Sequence, residues 1–163
     1  MATATATATA VPHEHDIHDA AGSIISNAVR WSAAAAVVPV PYLDLAALGA
    51  VQVKMVRDLA EAYEVDPNEV TLNGVISSLL GTLGSVGAGS LLVGPAVKLI
   101  PGSGSLLGSV TVGAFGSAAT YAIGKIFVRH FEGGGTLGDF SADAVADDLK
   151  AEFQSAKGRG KSS

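Results

Sequence analysis

GVISSLLGTLGSVGAGSLLVGPAVKLIPGSGSLLGSVTVGAFGSAATYAIGKIFV, Gly74 to Val128, carries Lys98 and Lys125 as its only charges and no Asp or Glu. Gly74–Val97 and Leu99–Gly124 are uncharged, and each is about as long as the 20 residues a helix needs to cross roughly 30 Å of hydrocarbon. Between them, Pro101-Gly102-Ser103-Gly104 is a turn signal that a helix does not run through easily. The stretch therefore predicts a helical hairpin, spanning about 74–131, that enters a membrane and returns. The alternative is a glycine-rich hairpin buried inside a helical protein.

Small residues refine this. Ser77, Gly81, Ser85 and Gly89 fall four apart and share one line of the first helix; Ser105, Ser109, Gly113 and Ser117 do the same on the second. A further line runs through Gly108, Val112, Gly116, Thr120 and Gly124. Glycine inside a helix in water costs about 1 kcal/mol relative to alanine. In lipid, small-xxx-small lines let two backbones approach and pack. Two such lines on one helix predict two neighbours, the hairpin partner and another subunit of a homo-oligomer.

Composition agrees with close-packed helices. Of 163 residues, 15% are charged and 6% aromatic, so the apolar content comes from Ala, Val, Leu and Gly. A net charge of −5 offers no basic face to nucleic acid, so none is expected as a partner. Without cysteine there are no disulfides or thiolate metal sites, and no cofactor is expected. The start, MATATATATA, lacks the basic and apolar regions of a secretory signal and reads as a low-complexity tail. His13, His15 and His18 then alternate with Glu14, Asp16 and Asp19. Imidazole and carboxylate together suit a divalent metal, and histidine also suits a proton sensor. The plainer reading is a solvated helix start, with acids at the positive end of the helix dipole.

Ala20–Val38 looks helical, with Ile24, Ile25, Ala28, Trp31 and Ala35 at helical spacing. Trp31 beside Arg30 is either a membrane-interface anchor or a core residue. Pro39 and Pro41 break the helix, and Asp44 is placed to cap a second, amphipathic one from Leu45 to about Tyr63. Its face of Leu45, Leu48, Met55, Leu59 and Ala62 is interrupted by Gln52, a candidate for an interhelical hydrogen bond. Arg57 and Glu61 are spaced for an ion pair. Pro67 suits the first position of the next helix. After Glu132-Gly133-Gly134-Gly135, a last short helix is expected from about Ser141 to Phe153, then a basic tail. The organisation is a tail (1–19), an all-α membrane-associated domain (20–137) and a terminal amphipathic helix with basic tail (138–163). Lys98 is the sole cation between the two runs, so the positive-inside rule puts both termini in the cytoplasm.

Several spaced motifs resemble a known family. Pro39-Val40-Pro41-Tyr42-Leu43-Asp44-Leu45, Gln52-Val53-Lys54-Met55 and Leu59-Ala60-Glu61-Ala62-Tyr63 are similar to the first half of the YcjF-like, GTPase-associated membrane domain. Leu99-Ile100-Pro101-Gly102-Ser103-Gly104, Thr120-Tyr121-Ala122-Ile123-Gly124-Lys125 and Phe131-Glu132-Gly133-Gly134 are similar to its second half. The resemblance implies a helical, membrane-interacting bacterial module of unknown biochemical function, with a small GTPase as a partner. It implies no reaction, and with no GTPase domain in this chain a nucleotide-dependent role would require another protein.

Enzyme motifs fail on spacing. Gly160-Lys161-Ser162 ends like a phosphate-binding loop, but Ser155 stands where its first glycine belongs. Gly102, Gly104 and Gly108 miss the dinucleotide spacing by one residue, and His130 stands alone at a helix end. The expectation is a non-enzymatic, self-associating protein that inserts its hairpin into the bilayer and scaffolds or shapes membrane. The rivals are an adaptor for a separate small GTPase and an oligomeric pore.

Overall fold

The computed structural model describes residues 14–35, 43–98 and 104–159, and the side-chain surroundings of 35, 43–46, 69, 87–98 and 104–112 lie outside what is described. The expected all-α class holds. There are five helices, α1 Glu14–Ala35, α2 Leu43–Ala62, α3 Glu69–Lys98, α4 Gly104–Glu132 and α5 Ala146–Arg159, and no strand among the described residues.

The fold is arranged about α4, which touches each of the other four helices. α1 runs antiparallel to it, with His18 beside Glu132, Ile25 beside Gly124 and Ser32 beside Gly116. α2 runs parallel to α4, with Leu48 near Gly116, Gln52 on Thr120 and Tyr63 on Glu132. The bundle thus has two unlike ends. One gathers the start of α1, the end of α2 and the end of α4. The other gathers the end of α1, the start of α2 and the start of α4.

Each outer helix buries one stripe, as an amphipathic helix must. On α1 it is Ala21, Ile25, Ala28 and Ser32; on α3 it is Leu72, Ile76, Leu79 and Leu83. From Phe115 to Phe131, α4 is buried except along the line of Ser117, Tyr121, Lys125 and Arg129 and at His130, because four helices pack around it. That is one physical reason for the long apolar run read from the sequence. Among the described residues no helix is long and apolar enough to cross a membrane, so the expectation of two crossings is not met there. The charge argument that set both termini in the cytoplasm then has no crossing to act on.

The small-residue lines have unlike surroundings within the chain. Gly124 faces α1, and Gly116 faces α1 and α2: a Cβ on Gly124 would stand 2.7 Å from Ile25 Cγ1, and one on Gly116 would stand 3.5 Å from Leu48 Cδ1 and 3.7 Å from the Ser32 carbonyl oxygen. Gly113 and Ser117 are half-buried. Ser77, Gly81 and Ser85 are exposed, and a Cβ on Gly81 would meet nothing within 4 Å. Gly89, Gly108 and Ser109 have surroundings outside the described residues, and Pro39, Pro41, Pro101 and Gly102 lie outside them altogether. Gly104 opens α4, and Asp44 is the second residue of α2.

Helix ends follow capping rules. Asn68 Oδ1 accepts from the amides of Val70 and Thr71, both at 3.1 Å, so Asn68 caps α3 and Pro67 stands one residue before the cap, two before the first helical position expected for it. α4 ends with Gly134 at φ 79°, its amide bonded to Phe131 O and that of Gly135 to His130 O. α2 ends the same way with a residue that carries a side chain: Glu64 at φ 57°, with Glu64 N bonded to Glu61 O and Val65 N to Ala60 O. α5 begins later than expected, after a turn in which Ser141 Oγ accepts from Ala144 N, and buries Leu149 and Phe153.

The deepest polar contacts join three helices. Thr120 Oγ1 donates to Gly116 O at 2.8 Å. Its single hydrogen is thereby used, so Ser32 Oγ and Gln52 Nε2, each 2.6 Å away, both donate to it. All three side chains are buried. Replacing Thr120 with isosteric valine strands two buried donors at once, whereas Ser32→Ala removes one donor and strands nothing. Urea unfolding should give a loss of about 2–4 kcal/mol for Thr120→Val and about 1 kcal/mol for Ser32→Ala. At Glu64, glycine relieves the left-handed strain at some entropic cost, so Glu64→Gly should stabilise by about 0.5–1 kcal/mol in the same assay.

Candidate functional site

Three features are candidates: an exposed tryptophan, a groove between α1 and α4, and a charged junction at the Glu132 end.

Trp31 is 68% exposed, which excludes the core reading and leaves the interface-anchor reading open. It stands on α1 one residue outside the buried stripe ending at Ser32, at the rim of a hollow of about 580 Å³ between α1 and α2. Ile24, Ala28, Val51 and Met55 give this hollow an apolar lining. Lys54 at its edge is paired with Asp58. Trp31 lies toward the end of the bundle where α1 finishes and α4 begins.

The second feature is a groove of about 580 Å³ along the α1–α4 seam. Ala21, Ile25, Val29 and Val128 form its apolar part, and Arg30, Lys125 and Arg129 its cationic part. Arg129 Nη1 is 3.6 Å from Glu152 Oε1. At the side of the groove, Tyr121 OH accepts from Arg159 Nη1 at 3.1 Å, and the guanidinium carbon lies 5.4 Å from the ring centre.

At the Glu132 end, one carboxylate oxygen serves two helices. Glu132 Oε1 is 3.1 Å from His18 Nδ1 on α1 and accepts from Tyr63 OH at 3.1 Å. Nearby, His130 Nε2 lies 2.8 Å from Thr136 O; a carbonyl can only accept, so Nε2 carries the hydrogen. Asp139 Oδ1 is 3.5 Å away and accepts from Thr136 Oγ1 and Thr136 N. Those hydrogen bonds, that of the Thr136 hydroxyl first, hold the Asp139 carboxyl below the usual carboxylate range. A Cβ on Gly135 would collide with the His130 ring, which is why glycine stands there.

The sequence-predicted histidines do not converge. His15 and His18 are exposed on the first turns of α1, His18 faces Glu132, and His13 lies outside the described residues. Among the described residues, no group of three His, Asp or Glu could hold a metal. Helical spacing gives no signal for the partners of His130, because Thr136 and Asp139 sit beyond a glycine turn. Glu132 was read only as part of a helix stop, yet it ties α1, α2 and α4 together.

Burial, and then the hydrogen bond to Glu132 and its negative charge, push the Tyr63 phenol up from 10.0 to about 12. The folded value lies above the unfolded one. Tyr63 therefore contributes stability that is whole below pH 10 and lost as pH rises toward 12. The ultraviolet absorbance difference between the wild type and Tyr63→Phe should titrate near 12, and Tyr63→Phe should flatten the loss of stability between these values.

Residues 4–158 match the family described as Domain of unknown function (DUF697), the domain associated with YcjF-like GTPase proteins. The chain is 39% identical over 137 residues, 84% of its own length and 70% of the relative's, to Magnetosome membrane protein 22 of Magnetospirillum gryphiswaldense. No solved structure matches. No GTPase domain is evident among the described residues. With nearly its whole length matched, and with the motifs on α2, α4 and the turn after Phe131 in place, this chain belongs to the DUF697 family.

Proposed function

We propose that this chain is a non-enzymatic membrane-associated module that seats one end of its helical bundle in a membrane surface and self-associates there as a scaffold. The observation that carries the reading is Trp31, a large amphipathic ring left 68% exposed toward the end where the chain's apolar runs converge. An exposed ring of this size beside an apolar hollow is costly in water and favourable at the headgroup boundary. The relative's name, a magnetosome membrane protein, supports membrane association. The reading differs from a spanning hairpin. The bundle keeps its core, and the apolar halves of α3 and α4 near residues 98 and 104 dip into one leaflet. The exposed line Ser77, Gly81 and Ser85 on α3 offers a close-approach face for a second copy.

Family association with small GTPases favours a second reading, an adaptor for a separate GTPase. Nucleotide-dependent capture of that GTPase by the full chain, with no vesicle binding, would favour the adaptor.

Trp31 is the chain's only tryptophan, so its fluorescence reports this site alone. On zwitterionic vesicles the emission should shift to the blue, and lipids brominated near the headgroup should quench it. Trp31→Ala should weaken flotation with those vesicles about tenfold. Emission unchanged by vesicles, with the chain left at the bottom of the gradient, overturns the reading.

A further inference from the structure

The cations of this acidic chain are not used alike. Lys54 is held by Asp58, Arg129 by Glu152 and Lys150 by Asp147. Arg57, Lys157 and Arg159 also have partners. Among the described residues, Arg30 and Lys125 have no acidic partner, and both line the α1–α4 groove. By the register of the two helices, His18 beside Glu132 and Ser32 beside Gly116, these cations stand within about two helical turns of each other. Two like charges on one groove repel, and a shared anion between them removes that cost.

The rest of the groove says what kind of anion. The groove is also lined by the apolar residues Ala21, Ile25, Val29 and Val128. A free phosphate would use the charges and leave these apolar residues wet. An amphiphile would use both. Guanidinium grips phosphate oxygens in a fork, ammonium adds a point charge, and Tyr121 OH, already accepting from Arg159, still has its own hydrogen to donate. The groove's one acid, Glu132, is two turns along α4 from Lys125 and is occupied by His18 and Tyr63.

We propose that the α1–α4 groove is a binding site for an anionic phospholipid, with Arg30 and Lys125 on the phosphate and the apolar lining along the start of an acyl chain. This deepens the membrane-seating reading and rests on it. It makes the module choose anionic lipid by a discrete site as well as by apolar contact.

The test is calorimetric titration of the full chain with dihexanoyl phosphatidylglycerol below its micelle concentration. Dihexanoyl phosphatidylcholine and glycerol phosphate serve as comparison ligands. Saturable binding of the phosphatidylglycerol is expected. Arg30→Gln or Lys125→Gln should each weaken it about fivefold and the pair about 25-fold. Arg30→Lys should retain most of it, and Lys150→Gln all of it. Both groove side chains reach solvent, so melting temperatures should be unchanged, and the charge-conserving Arg30→Lys guards against a folding artefact. Equal binding of phosphatidylcholine, glycerol phosphate binding as tightly as the lipid, or wild-type affinity in the double variant would each overturn the site. Absence of any lipid binding in solution overturns it too, while Trp31 emission on zwitterionic vesicles separately decides whether the module seats in membrane.

Discussion

The bundle depends on one hydroxyl. Thr120 gives its hydrogen to the carbonyl a turn back on α4 and accepts from α1 and α2 at the same atom. Apolar contacts alone would let α1 and α2 slide along α4 by a turn at little cost, because alanine, valine and leucine repeat along all three. A buried hydroxyl that must receive both Ser32 and Gln52 admits one register only, since a slip leaves donors unpaired in a dry interior. Gly116 and Gly124 work with it. They bring α1 close enough for the Ser32 hydroxyl to reach, and a Cβ at Gly124 would push Ile25 away. The 2.6 Å contacts are thus the product of small residues placed one turn on either side of the polar one.

Much of this was legible. The helices, the glycine stop after α4 and the interruption of α2's apolar face by Gln52 all follow from local spacing. What Gln52 meets was not legible, because Thr120 lies 68 residues away and Ser32 lies 88 residues from Thr120. Trp31 shows a subtler limit. Spacing put it on one stripe with Ile24, Ile25, Ala28 and Ala35, but the buried line is Ala21, Ile25, Ala28 and Ser32. The two lines share Ile25 and Ala28 and part at Trp31, where the neighbouring Ser32 is buried instead. The closeness of α1 to α4 selects the one whose members are small enough to fit, and the indole is turned outward.

The apolar run was ambiguous for a related reason. A helix surrounded by four others and a helix surrounded by lipid obey the same rule, that no face carries charge. α4 meets it on every face but the one that carries Lys125 and Arg129, through α1, α2, α3 and α5, and the glycines that resemble lipid-phase packing motifs are in part the slots for α1. Composition cannot separate these environments, whereas the position of the exposed side chains can. On α3 the side turned from the bundle carries Asn73, Ser77, Ser78 and Ser85, a surface suited to water or to another chain more than to hydrocarbon.

The arrangement of charge then bears on how such a bundle would meet a membrane. Glu14, Asp16, Asp19, Glu64, Asp66 and Glu132 gather at one end, because antiparallel α1 starts there while α2 and α4 finish there. Arg30 and Lys125 lie farther along the seam, and Trp31 stands nearer the opposite end. A net charge of −5 would keep a uniformly charged body off an anionic surface. Fields in cellular salt reach only about 8 Å, however, so a surface responds to the end presented to it and not to the sum. The acidic end is repelled and the Trp31 end is not. The same antiparallel register that lets Ser32 and Gln52 share Thr120 therefore also gives the molecule a direction, and a membrane-seating role needs no spanning helix to be oriented.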